Sequence, residues 1–426
     1  MIIGRLVSLS RPRLAATLAA VLLACAGSGL SALALELADS TWVPLSPLPE
    51  KVRAPLFALA VSPGNNQVVI AGTAQGSLFR TTDGGATWTS THGGSAALLT
   101  VSFSPFRAGL ALAGTRGAGA LVTSDGGATW NVASGMEGRQ VRVFGFARTI
   151  IAAGTDRGVF LSQDGRSWSQ GGLADISIGA LAVAAVYPPA RFIAAGDSAA
   201  AGGFLPLFQS ADAGLTWTRT QAPLGSSVIV SKLLAGPLPP TGDMRPLLIG
   251  TNSALYSSAD NGATFVPLTG GSLLPSTDYT QAAFVTDHFN KYYVASDGGG
   301  SQSGGLWTTG DAGQHFTSLA PPVPSVTAMA VSNDEGPILY VATFRPADHA
   351  ATIWAYHDTG GSPQQPFSSS PTPASGVRKQ ATEANTGIFA LVGLLRSPQA
   401  PYIALGAIAL LVILLAAVSH FRGRRH

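Results

Sequence analysis

The chain has little with which to do metal, thiol or nucleic-acid chemistry. Its only cysteine is Cys25, so no disulfide and no thiolate-bound metal can stabilise the remainder of the chain. The seven histidines are scattered, with no pair at metal-ligand spacing, and neither a metal site nor a cofactor is expected. No Gly-x-Ser-x-Gly elbow or phosphate loop occurs. Charge is scarce as well, at 11% of the residues. Arg5, Arg11, Arg13, Arg422, Arg424 and Arg425 lie at the extreme ends, and without them 19 basic residues face 22 acidic ones, a net of −3. That body lacks the electrostatic footprint of a nucleic-acid binder. What is plentiful is Gly, at 51 residues, and Pro, at 28, in a chain of 426. Such a chain spends many residues on turns between buried runs, which is not the composition of a helical protein.

The two ends differ from the body. Arg11 and Arg13 precede the apolar run Leu14 to Ala24, and small residues lead on to Ala32-Leu33-Ala34. Residues 1–34 are expected to be an export signal cleaved after Ala34, with an uncleaved anchor as the alternative. Cys25 lies in "LLAC", a loose match to a bacterial lipoprotein box in which Leu23 fits poorly. Pro401 to Val418 carries no charge over 18 residues and is followed by "SHFRGRRH". Residues 401–419 are expected to be a transmembrane helix, with the basic tail 420–426 in the cytoplasm and the body outside the cell. A buried core helix is the other reading of that run. Between body and helix lie a Pro/Ser-rich linker, 362–386, and a juxtamembrane segment, 387–400, whose apolar part Gly387 to Leu395 is too short to span a bilayer.

Within the body, "TTDGGATW" at Thr81 to Trp88 returns as "TSDGGATW" at Thr123 to Trp130. Further copies run from Ser162 to Trp168 (one residue shorter), Ser210 to Trp217, Ser258 to Phe265 and Thr309 to Phe316. Their aspartates, Asp83, Asp125, Asp164, Asp212, Asp260 and Asp311, are separated by 42, 39, 48, 48 and 51 residues. A period near 45 marks one supersecondary unit per repeat. Each unit has three short β-branched or aromatic runs, such as "LFALAVSP", "VVIAGT" and "SLFRTT", then the octet, then a fourth run beginning at the Trp or Phe. Runs of this kind between Gly, Pro, Asn and Asp are strands. Seven units of four strands make an all-β, seven-bladed propeller of antiparallel blades over residues 40–361.

The seventh unit stops short. After "TIWAYH" it keeps Asp358 and Gly360 but reaches no aromatic, whereas "STWVPLSPL" near the start of the body carries Trp42 with no octet before it. Trp42 to Leu45 is therefore expected to supply the missing strand, closing the ring and leaving no long exposed edge.

A turn between the third and fourth strands accounts for the octet without chemistry. Gly85, Gly127, Gly214, Gly262 and Gly313 tolerate φ > 0, the Asp and the Ser or Thr accept turn N–H groups, and the aromatic buries between blades. The pattern S/T-x-D-x-G-x-T-W resembles the Asp-box, or BNR, repeat of sialidases, sortilin-type receptors, some xyloglucan-cleaving glycosidases and the photosystem II assembly-factor family. In those families the box faces away from the ligand, which implies a structural role for the six aspartates.

The opposite face is built from loops joining second to third strands and blade to blade. It carries Arg53, Arg116, Glu137, Arg139, Asp156, Arg157, Asp175, Asp197, Asp278, Tyr279, Asp297, Arg345, Asp348 and His349. A protein or glycan partner is expected there. A sialidase-like exo-glycosidase is the alternative, since the resemblance implies an arginine triad, a Tyr–Glu nucleophile and an Asp acid. "RAP" at Arg53 to Pro55 resembles the first-arginine motif, but "TAQGS" at Thr73 to Ser77 has no acid where one is needed. Glu137, Tyr279 and Arg345 could fill the other roles without any spacing that demands it. Asp156, Asp297 and Asp348 are the carboxylates left for a xyloglucanase-type pair. Two carboxylates ~5–10 Å apart in an axial pocket would favour the enzyme.

Overall fold

The computed structural model describes residues 37–196, 206–220, 228–240, 244–298 and 303–361. They form seven four-stranded antiparallel sheets, each in simple up-and-down order. In blade 1 the strands are Ala58–Ser62, Asn65–Gly72, Leu78–Thr81 and Thr89–His92. The first strands of blades 2 to 7 are Leu98–Phe103, Val141–Phe146, Ile178–Ala185, Val230–Ala235, Gln281–Val285 and Val326–Val331. The described residues form a seven-bladed all-β propeller.

The last blade closes the ring as the sequence implied. Its second and third strands are Ile338–Arg345 and Ala350–His357, and its fourth is Trp42–Pro44. Trp42 pairs with Tyr356, Val43 with Ala355 and Pro44 with Trp354, and Leu45 N–H donates to the Ile353 carbonyl at 2.9 Å. The indole of Trp42 is fully buried, lies 4.8 Å from the Tyr356 ring and donates to the Leu319 carbonyl at 2.8 Å.

Burial follows position in the blade. Second strands such as Ala111–Thr115 and Leu247–Thr251 are buried throughout, so they read as unbroken apolar runs rather than alternations. Fourth strands such as Asn131–Val132 are exposed at the rim. The apolar side chains gather into one cluster between each neighbouring pair of blades, seven in all among the described residues.

A Gly-Thr pair at the end of four second strands explains how closely the blades approach. A Cβ on Gly114 would lie 2.3 Å from the Val141 carbonyl oxygen, and one on Gly250 would lie 2.0 Å from that of Tyr279, so only glycine lets the next blade dock. The threonine beside it is buried and ties the adjoining loop. Thr115 Oγ1 donates to the Gly119 carbonyl at 2.7 Å and Thr251 Oγ1 to that of Ala254 at 2.7 Å.

Among the described residues no helix is long and apolar enough to cross a membrane. The expected export signal, 1–34, and the segments 362–426 with the expected helix lie outside the described residues, as does Asp197.

Candidate functional site

The repeated octets are turn locks in geometry. In the first, Asp83 Oδ1 accepts the Thr87 N–H at 2.9 Å and Oδ2 accepts the Thr87 hydroxyl at 2.5 Å. Thr81 Oγ1 donates to Asp83 at 2.6 Å and accepts the Gly85 N–H at 2.9 Å. The same set recurs at Asp125, Asp212 and Asp260. Two departures are instructive. At the shortened copy, Asp164 accepts the Arg166 and Ser167 N–H groups and has no threonine to hold. In the sixth, His315 Nδ1 lies 2.6 Å from Asp311 Oδ2, so an imidazole takes the place of the hydroxyl.

These contacts favour the ionised carboxylates. At Asp212 and Asp260 the hydroxyl and N–H of Thr216 and Thr264 lead in drawing the pKa down to about 2. At Asp125 burial pushes upward but is outweighed by the Thr129 and Thr123 hydroxyls and the Thr129 N–H, again giving about 2. The turn needs two left-handed residues rather than one: φ is 72° and 96° at Gly84 and Gly85, and 60° and 91° at Ala312 and Gly313. The octets bond to the hairpins joining first and second strands, as in Gly126 N–H to the Gly109 carbonyl at 2.9 Å, which fixes them on one face.

The opposite face is knit by bonds from second-to-third-strand loops to the entry of their own blade, as in Arg116 N–H to the Ala97 carbonyl and Asp156 N–H to that of Gln140, and to the entry of the next, as in Gly119 N–H to the Arg139 carbonyl. Several predicted residues there are occupied structurally. Asp156 Oδ1 accepts the Gln140 N–H at 2.9 Å and stands 4.0 Å from Arg139. Glu137 accepts the Gly135 N–H and is held below its ordinary value by backbone N–H groups. Asp278 accepts from Ser296 at 3.0 Å, and Asp297, partly buried, starts the adjacent loop. Arg157 and Asp175 are exposed.

Tyr279 corrects the sequence reading: it is a core residue. Only 1% of it is exposed, its hydroxyl donates to the Leu274 carbonyl at 2.5 Å, and its ring packs 5.9 Å from Trp307. The chain turns inward at Asp278, so the phenol enters the space between blades instead of the loop surface.

Two concavities open on this face. One is a cleft of about 740 Å³ between residues 45–56 and the hairpin 348–353, bringing Arg53 together with Asp348 and His349. Arg345 grips Asp348 with two bonds, 2.9 and 2.6 Å, and holds its carboxyl below the ordinary value. Glu50, which the sequence reading missed, also lines the cleft. Its Oε2 accepts from Ser77 at 2.8 Å while its buried Oε1 has no partner among the described residues. The other concavity is the axial channel. Two adjoining cavities of about 560 and 270 Å³ share Phe57, Thr100, Ser102, Lys232 and Gln281 and between them touch the first strands of all seven blades. Arg116, Arg142 and Lys232 line it, and among the described residues no Asp or Glu does. Among the described residues no cluster of three or more metal-ligating side chains is found.

Comparison with known proteins gives the fold relatives. No protein-family model and no curated protein matches the chain in sequence. Among solved structures it is similar to a GH74 xyloglucanase from Xanthomonas campestris, with a TM-score of 0.57 and 13% identity over 76% of this chain. The chain spans 55% of the length of that enzyme. It is similar also to YCF48 from Cyanidioschyzon merolae, with a TM-score of 0.52 and 15% identity over 74% of this chain and 98% of that one. YCF48 bound to D1 peptide gives a TM-score of 0.51 and 16% identity over 76% of this chain and 99% of that one. These likenesses show the fold alone, and one fold hosts both a hydrolase and a peptide-bound protein.

Proposed function

We propose that this is a binding propeller of the Asp-box type, tethered to the cell membrane with its body outside, which takes a segment of a partner protein on the face opposite the octets. The observation that carries the reading is the axial channel, whose wall, among the described residues, has three cations and no carboxylate. Glycoside hydrolysis needs a carboxylic acid to protonate the leaving oxygen and a second carboxylate to assist. That acid has to be held protonated near neutrality. Asp348 and Glu137 are shifted the opposite way. The peptide-bound fold relative supports a protein segment as the ligand. The export signal and the run 401–419, argued from sequence, support the location.

One observation favours the hydrolase reading: Glu50 and Asp348 both line the outer cleft. Two assays separate the readings. The purified protein is incubated with xyloglucan and with sialyllactose, and is screened against a peptide array. Binding to peptides with no sugar released supports the scaffold. Release of sugar that Glu50→Gln abolishes would establish the enzyme. For location, protease added to intact cells should remove the propeller and leave a short fragment carrying Arg422 to His426; protection in cells with a permeable outer layer would reverse the orientation.

A further inference from the structure

Lys232 sits where a cation has no evident structural use. It belongs to the first strand of blade 5, Val230–Ala235, and lines both cavities of the axial channel. Its ammonium has no hydrogen-bond or ion-pair partner among the described residues, and the protein around it disfavours the charged form. An unpaired cation in such a place is costly, and the cost is relieved when an anion enters. Around the same opening stand the guanidinium of Arg142, bonded to Ser177 at 2.8 Å, and the exposed Arg116. Thr280 Oγ1, also on the wall, is buried and lacks a partner among the described residues. Among the described residues the wall thus brings together a half-buried ammonium without a partner, the guanidinium groups of Arg116 and Arg142 and an idle hydroxyl. Arg53, the residue of the "RAP" motif, lines the outer cleft instead.

We infer that the channel mouth on the face opposite the octets is an anion site, in which Lys232, with Arg116, Arg142 and Thr280, receives an acidic side chain of the bound segment. This rests on the protein-partner reading for the source of the carboxylate, but the site itself does not. A carboxylate is the fitting anion because it accepts several hydrogen bonds at once, from guanidinium, ammonium and hydroxyl donors. The blades bring these residues together from far apart in sequence: Arg116 from blade 2, Arg142 from blade 3, Lys232 from blade 5 and Thr280 from the entry to blade 6.

The test monitors acetylation of Lys232 by acetic anhydride in the full-length protein, read by peptide mass spectrometry with Lys51 as internal reference. Hexaglutamate should slow modification of Lys232 by at least about tenfold, with hexaglutamine and the Lys51 rate showing no change. Equal protection by the two peptides, or none by either anion probe, overturns the site. Free succinate separates the two claims: protection by succinate but not by hexaglutamate supports the anion site and counts against a peptide as its source. As a second measurement, Lys232→Met, which keeps the side-chain length, should weaken labelled hexaglutamate binding by at least about tenfold without lowering the melting temperature. Undiminished binding by that folded variant overturns the inference.

Discussion

Trp42→Ala removes the residue that latches the start of the domain to its last blade. The indole is fully buried among Tyr293, Leu306, Leu319, Val326 and Tyr356, and its N–H reaches the Leu319 carbonyl at 2.8 Å. Truncating a buried Trp to Ala costs about 3–5 kcal/mol, and that range includes a cavity that the surrounding sheet fills only partly. With the orphaned carbonyl a total of about 4 kcal/mol is reasonable, a large share of the ~5–15 kcal/mol by which domains are stable. At an unfolding entropy of about 2 cal/mol/K per residue over roughly 320 residues, this lowers Tm by about 6 °C. Trp42→Phe keeps most of the ring but loses the N–H and should cost about 1 kcal/mol, or 1–2 °C. Val132→Ala, at a rim residue 69% exposed, is the control and should leave Tm unchanged. Circular dichroism melts of the full-length variants decide the matter. Equal melting of Trp42→Ala and Val132→Ala would mean that the strand Trp42–Pro44 does not close the ring.

The turns give further expectations. Asp83→Ala strips acceptors from the Thr87 N–H and the Thr81 and Thr87 hydroxyls and should cost about 1–3 kcal/mol in denaturant titrations. Ala312→Gly relieves a left-handed alanine with φ of 60° and should stabilise by up to about 1 kcal/mol; a lower denaturation midpoint would contradict the strain. Asp125, Asp212 and Asp260 hold pKa values of about 2 against an ordinary 3.8, so their contribution is complete above about pH 4 and is lost as pH falls through about 2. Melting temperature should therefore drop between about pH 4 and pH 2, and less steeply in Asp125→Ala than in the parent. Arg345→Ala breaks an exposed ion pair and should leave the melting temperature unchanged.

The blades, their number and the closing strand were legible because each rests on short-range chemistry. The octet writes its turn in adjacent residues, and an unmatched Trp42 beside a unit lacking its aromatic leaves one economical pairing. The seventh turn was legible only in part. Asp358 and Gly360 keep the N–H bond of the turn at 3.0 Å, but Lys291 and the Tyr293 hydroxyl from blade 6 hold the carboxylate in place of a threonine. The site is less legible because two of its cations lie within strands rather than in loops. Lys232 and Arg142 lie inside "VIVSKLLAG" and "VRVFGFA", where a charge interrupting an apolar first strand was the available signal. Which of those charges share a channel depends on the ring, which spacing along the chain does not show. Tyr279 was misplaced for the converse reason, since its loop position hides that the backbone has already turned into the core.

The central claim is that the octets hold the fold and the opposite face holds the ligand. Hydrogen exchange, read by mass spectrometry on the full-length protein with and without the tightest peptide from the array, tests both halves together. The account predicts slowed exchange around Arg116, Gln140 to Arg142, Ser231 to Leu233 and Thr280, with no change across the octets at Asp83, Asp125, Asp212, Asp260 and Asp311. Protection confined to the octets, with the channel mouth unaffected, would contradict it.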